Sequence, residues 1–186
     1  MAALNGLTPS RQPVADWIRN LPAAANTNGA GQTIAKGDAV AYVNGVIVPA
    51  SAGQDPTHPG FGVVLAVYTT ANRPFTFQTN KIIVSGAVGR VDVCFDPNQT
   101  YIVRCDTSAG PSNLGKNAVL AVSAANAVTG ISGHSVNIPA SSSINDLFKI
   151  INISPFDELA GKGTGGGANN GVEVKWNRHL LHAATA

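Results

Sequence analysis

The chain has 186 residues with 12 basic and 10 acidic side chains, a formal charge of +2, and Asp, Glu, Lys and Arg make up only 12% of it. That is about half the usual charged fraction, and no basic run breaks the balance, which argues against a surface built for nucleic-acid phosphates. The 20 Gly and 11 Pro fall short of a low-complexity composition, while 47 Leu, Ile, Val and Phe residues suffice for a folded core.

Val, Ile and Thr number 44, and Glu appears only twice. β-Branched residues pack well on a pleat and lose side-chain freedom in a helix, so the expected fold is all-β: an antiparallel barrel or sandwich with an N-terminal arm. No repeat of fixed period is visible. The opening Met1-Ala2-Ala3-Leu4-Asn5-Gly6 lacks the charged and apolar regions of a secretion signal, and no run approaches 18 apolar residues. Synthesis in a cytoplasm is therefore expected, with neither a membrane nor a nucleic acid as partner.

Val14, Trp17, Ile18 and Leu21 fall at i, i+3, i+4 and i+7, after Pro13 and before Pro22. This spacing predicts a short amphipathic helix on an arm, residues 1–30, ahead of a β domain, residues 31–186. These four residues form the candidate interface. Trp17 would stand in water unless the helix packs on its own domain or on a neighbouring chain.

Residues 39–43 and 46–49 flank Asn44-Gly45, which predicts a type I′ hairpin with Tyr42 opposite Ile47 and with Pro49 ending the pairing or marking an edge. Residues 61–68 are nearly all apolar and suit a central strand covered on both faces. Residues 91–95 and 101–105 flank Asp96-Pro97-Asn98-Gln99-Thr100 and read as a second hairpin. If Asp96 opposes Thr100, Asp92 meets Arg104 and the apolar side chains share one face. Cys94 and Cys105 then point to opposite faces and stay reduced. Further strands are predicted over 147–153 and 172–180, with Trp176 as a core anchor. The Gly-rich stretch 161–171 between them has little to bury and reads as a surface loop.

Motifs of known chemistry fail when their residues are checked. Gly110 to Asn117 approaches a phosphate-binding loop, but Asn117 replaces the hydroxyl that would hold Mg²⁺ and no helical pattern follows. His179-Leu180-Leu181-His182 lacks a carboxylate, and its histidines read as exposed tail residues. Glu158 and Glu173 read as ordinary surface carboxylates. The four histidines, His58, His134, His179 and His182, sit in loops or at the tail and form no evident catalytic constellation with their sequence neighbours. No catalytic, cofactor-binding or metal-ligating residue is assigned, and no enzymatic activity is expected. A deep pocket holding two or more of His58, His134, Asp146 and Glu158 would reverse that expectation.

Several segments in order carry a resemblance. They are residues 61–68, the block Val91-Asp92-Val93 with Asp96-Pro97-Asn98-Gln99-Thr100-Tyr101-Ile102-Val103, the loop Gly130-Ile131-Ser132-Gly133, residues 147–155, and Val172-Glu173-Val174-Lys175-Trp176-Asn177-Arg178-His179. Their order resembles the head decoration, or cement, proteins of tailed bacteriophages over roughly residues 35–180. The resemblance departs at the Gly-rich stretch and in the N-terminal segment. It implies a structural virion protein on the outer capsid surface, with the major capsid protein and other copies of itself as partners. A trimer is favoured, a dimer possible. The rival expectation is a carbohydrate-binding or adhesion β module, which needs a cluster of exposed aromatic rings.

Overall fold

The computed structural model describes residues 6–25, 33–50, 61–68, 82–84, 87–126, 128–141, 143, 146–153, 170–177 and 179. Its first closed barrel is built from β2 (Ile18–Ala24), β3 (Ala39–Val43), β4 (Val46–Pro49), β5 (Gly62–Tyr68) and β6 (Val88–Cys94), in the order β2-β4-β3-β5-β6. A second sheet contains β1 (Thr8–Pro9), β7 (Thr100–Cys105), β8 (Asn117–Ala121), β9 (Ser135–Asn137), β10 (Phe148–Ile153) and β11 (Asn170–Trp176). Its order is β1-β7-β11-β10-β8-β9, and a β7–β9 pairing closes it into a ring with β1 on the β7 edge. The all-β expectation holds. Among the described residues, no helix is long and apolar enough to cross a membrane.

The first hairpin forms as its turn chemistry dictates. Asn44 (φ 50°) and Gly45 (φ 85°) take the left-handed conformation that a type I′ turn demands, Tyr42 faces Ile47, and Pro49 is the last residue paired, opposite Val40. β5 lies between β3 and β6, the central place its apolar run predicts.

The second predicted hairpin does not form. β6 pairs with β2 and β5, whereas β7 pairs with β1, β11 and β9. Alternation fixes which side chains share a face, but it does not choose the neighbouring edge. The turn at Asp96, where the Gln99 N–H reaches the Asp96 carbonyl (3.1 Å), instead carries the chain from one barrel to the other. Asp92 therefore accepts hydrogen bonds from Asn20 and Tyr68, and Arg104 pairs with Asp106 at 2.8 Å. Cys94 and Cys105 are free and buried as expected, though for a different reason: they belong to separate barrels.

The N-terminal helix is also corrected. Ala15–Trp17 makes a single 3₁₀ turn, and Ile18–Ala24 pairs antiparallel with β6 along its whole length. An i, i+3, i+4, i+7 pattern this short has few helical bonds of its own, so a strand edge offering a full ladder overrides it. Pro22 fits the strand. The Trp17 carbonyl takes the Phe95 N–H (3.0 Å), so by alternation positions 18, 20 and 22 face away from β6, and the amide hydrogen that proline lacks is not needed there. The described residues 6–25 are thus not an arm set apart from 31–186: β2 is a stave of the first barrel, and β1 lines the second. Of the Gly-rich stretch, Asn170 and Gly171 begin β11, and residues 161–169 lie outside the described residues.

The two barrels repeat one design. β2 is parallel to β4 and antiparallel to β6, β3 is antiparallel to β4 and β5, and β5 is antiparallel to β6. Replacing these five strands by β7 to β11, in order, reproduces every pairing and its sense. The registers coincide as well. Ala23↔Ile47 becomes Cys105↔Val136, Val40↔Gly62 becomes Ala118↔Phe148, and Leu21↔Val91 becomes Val103↔Val172. Even the bulge recurs, at Leu65 in β5 and Ile151 in β10.

The interiors match in turn. Ala23, Val40, Ile47, Val64, Val91 and Val93 fill the first barrel, and their counterparts Cys105, Ala118, Val136, Ile150, Val172 and Val174 fill the second. Ala39, Ala50 and Val63, from the first barrel, belong to the second core cluster, so apolar packing continues across the junction. Backbone bonds cross it too, from Leu7 N–H to the Gly37 carbonyl (2.8 Å) and from Ser132 N–H to the Lys36 carbonyl (2.8 Å).

Candidate functional site: the aromatic mouth of the first barrel

One end of the first barrel is stoppered by aromatic rings that sit at or just beyond strand ends. Tyr42 near the end of β3 stacks on Phe61 ahead of β5 (5.3 Å between centroids), and Phe61 stacks on Phe95 after β6 (5.6 Å, 6° between planes). Trp17, before β2, meets Phe95 edge-on at 5.2 Å, and the Arg19 guanidinium lies 5.6 Å over the Phe95 ring. Such offset and edge contacts each add about 0.5–1.5 kcal/mol beyond the area they bury. The row stays partly open: Tyr42 is 41% exposed, Arg19 is exposed, and Trp17, Phe61 and Phe95 are half-buried.

The second barrel closes the same end completely. Leu120, Leu147 and Trp176 stand where Tyr42, Phe61 and Phe95 stand in the first, and none exceeds 3% exposure. His179 sits between the two mouths. Its ring lies 5.7 Å from Trp176 and 6.4 Å from Phe61, and its Nε2 is 2.6 Å from the Phe61 carbonyl oxygen. His179 is therefore a buried side chain at the junction, not the exposed tail residue the sequence suggests; His182 lies outside the described residues.

The four residues of the predicted apolar face separate. Val14 is 56% exposed and Trp17 joins the aromatic row. Ile18 and Leu21 are half-buried, and an odd spacing along a strand sends their side chains to opposite faces. Tyr42, Phe61, Phe95 and Arg19 escape the sequence reading. The available signal is that each aromatic lies at the end of an apolar run, where a barrel places its stoppers.

A second polar cluster lies at the junction. His134 Nε2 is 3.5 Å from Asp38 Oδ1, and both residues are buried. His134 Nδ1 accepts the Ala39 N–H (3.3 Å), which leaves the ring proton on Nε2, facing Asp38. Asp38 Oδ2 accepts the Ala35 N–H (2.7 Å), and Ser132 Oγ accepts the His134 N–H (2.9 Å). Burial pushes the Asp38 carboxyl up despite the His134 ring, and burial pushes the His134 imidazole down despite Asp38. This cluster stitches loops of the two barrels together. Asp146, also buried, closes its own turn by accepting the Ser143 N–H (2.8 Å). Among the described residues, no group of three or more His, Cys, Asp and Glu side chains could hold a metal ion.

Comparison of the chain with protein-family models, with curated proteins and with solved structures finds no match.

Proposed function

We propose that this chain is a structural virion protein that binds the outside of a phage capsid and bridges major capsid subunits. The ordered motifs of the decoration-protein resemblance support this reading through their places in the fold. Residues 61–68 and 147–153 supply β5 and β10, the Asp-Pro turn passes the chain between barrels, and the Gly130 to Gly133 loop bonds to Lys36 at the junction.

The observation that carries the reading is the half-open aromatic row. Its rings cover one another: Tyr42 and Phe95 stack on Phe61, and Phe61 and Arg19 lie on Phe95. A sugar is gripped by an open aromatic face, whereas rings that stack together offer edges and a guanidinium, which suit a packed protein surface. The row therefore favours a protein partner over the glycan reading.

Cosedimentation with expanded capsids tests this. Saturable binding is expected, weakened about 30-fold or more by Tyr42→Ala or Arg19→Ala, the loss that truncating an interface hot spot gives. Binding to a glycan array without binding to capsids would sink the proposal. Mass measurement on particles and in solution then decides between trimer and dimer.

A further inference from the structure

The second barrel shows what an edge of this design accepts. β7 touches β9 at one pair only, Cys105↔Val136, so the outer edge of its first half has no barrel neighbour. β1 covers that edge. Thr8 lies opposite Ile102, Pro9 opposite Tyr101, and the Ser10 N–H reaches the Thr100 carbonyl (3.0 Å). The same register places Leu7 opposite Val103, and Leu7 is buried in the second core. Under this cover Tyr101 and Val103 are both 0% exposed.

Among the described residues, the first barrel has the same gap without the cover. β2 likewise meets β4 at one pair, Ala23↔Ile47, and its residues Ile18, Arg19, Asn20 and Leu21 are the counterparts of Thr100, Tyr101, Ile102 and Val103. Among the described residues, no strand pairs with this outer edge, Arg19 is exposed, and Leu21 is only half-buried. Side chains occupy the outward carbonyls instead. Arg19 Nη1 donates to the Ile18 carbonyl (3.0 Å), and Arg90 Nη2 donates to the Asn20 carbonyl (3.0 Å). Among the described residues, neither guanidinium meets a carboxylate within ion-pair distance.

We propose that the outer edge of β2, residues 18–21, is a docking slot for an extended acidic segment of another protein, which adds there as β1 adds to β7. The incoming backbone N–H groups take over the Ile18 and Asn20 carbonyls, and the displaced guanidinium groups of Arg19 and Arg90 pair with its carboxylates. An apolar side chain covers Leu21, as Leu7 covers Val103. Strand addition of this kind takes affinity from main-chain bonds and specificity from the side chains beside them. The occupant is not the β1 of a second copy, because each copy uses its own β1 on its own β7. The inference rests on the comparison of the two barrels and is independent of the capsid reading.

The probe is an acetylated peptide with the chain's own residues 5–10 followed by two glutamates, titrated to millimolar concentration into ¹⁵N-labelled full-length protein. Saturable amide shifts centred on Ile18, Arg19, Asn20 and Leu21 are expected. Replacing the peptide's leucine by aspartate, a change that cannot unfold the protein, should weaken binding about tenfold or more, the value of one buried leucine. Leu21→Asp in the protein should do the same, provided its spectrum stays folded. The absence of shifts in β2, shifts confined to residues 100–103, or equal binding of the aspartate peptide would each overturn the proposal.

Discussion

Gly37 and Gly115 occupy one place in two barrels. Each has a positive φ, 89° and 80°, and each donates its N–H to the matching residue of the bulged strand, Gly37 to the Val64 carbonyl (2.8 Å) and Gly115 to the Ile150 carbonyl (2.9 Å). The next residue completes the clasp in both cases: the Asp38 carbonyl takes the Val64 N–H, and the Lys116 carbonyl takes the Ile150 N–H. The clasp sets the entry angle into β3 and β8, and only a residue free of a Cβ penalty enters it without strain.

Alanine at either glycine is therefore expected to destabilise the fold, by about 1–2 kcal/mol for the left-handed backbone alone. Gly37→Ala should cost more than Gly115→Ala. A Cβ at Gly37 would lie 3.3 Å from the Gly6 Cα and 3.4 Å from the Leu7 N, whereas one at Gly115 meets nothing within 4 Å. Urea midpoints of the two variants measure the difference; equal losses would show that the contact with residues 6 and 7 yields freely.

What the sequence made legible was local. The Asn44-Gly45 turn, the alternation in β6, β7 and β11, and the burial of Trp176 all follow from neighbours in the chain. The choice of strand partner did not, because Val91-Asp92-Val93 sorts its faces equally well against β7 or β2. The duplication was hidden for a related reason. Ala23 maps to Cys105 but Ile47 to Val136, so the spacing of equivalents changes with each loop and no single period runs through the chain. Identity is also sparse between counterparts. The repeat lives in hydrogen-bond register and interior volume, which many apolar residues satisfy. The aromatic mouth went unseen because its rings come from four separate segments.

Deleting residues 1–30 is now expected to unfold the first barrel, the reverse of what an appended arm would allow. The deletion removes β2 and leaves the β6 edge and the Val91 and Val93 side chains uncovered. Loss of dispersed amide signals from β3 to β6 would confirm the stave role; a truncated chain that keeps them would show that β2 is dispensable.

Tyr68 and Asp92 offer a spectroscopic check on the first barrel's outer face. Partial burial, with the Asp92 hydrogen bond (2.6 Å) and charge behind it, pushes the Tyr68 phenol up to about 12. Asp92→Asn removes the charge and should bring its titration down towards the ordinary value of about 10. The ring-carbon resonance of Tyr68, followed against pH in both proteins, reads the change directly. An unchanged midpoint would assign the whole shift to burial.

The His134 site predicts how stability responds to acid. The folded protein resists protonating this imidazole, because burial disfavours the cation and because Nδ1 is already engaged as an acceptor for the Ala39 N–H. The unfolded chain takes up that proton near pH 6.5. The contribution of His134 is therefore fully present above about pH 6.5 and is lost as pH falls below it, by at most about 1.4 kcal/mol per pH unit. Asp38 works with the opposite sign. Its raised carboxyl favours the folded state below the ordinary carboxyl value of 3.8, and that contribution is lost as pH rises towards the folded value. Thermal midpoints between pH 7.5 and 5.5 should accordingly fall in the wild type and fall less in His134→Asn, which keeps an acceptor for Ala39 but cannot titrate. Asp38→Asn should steepen the fall, since it removes the nearby charge that holds the imidazole's proton affinity up. Parallel curves for wild type and His134→Asn would place the acid sensitivity elsewhere and reduce the junction pair to packing.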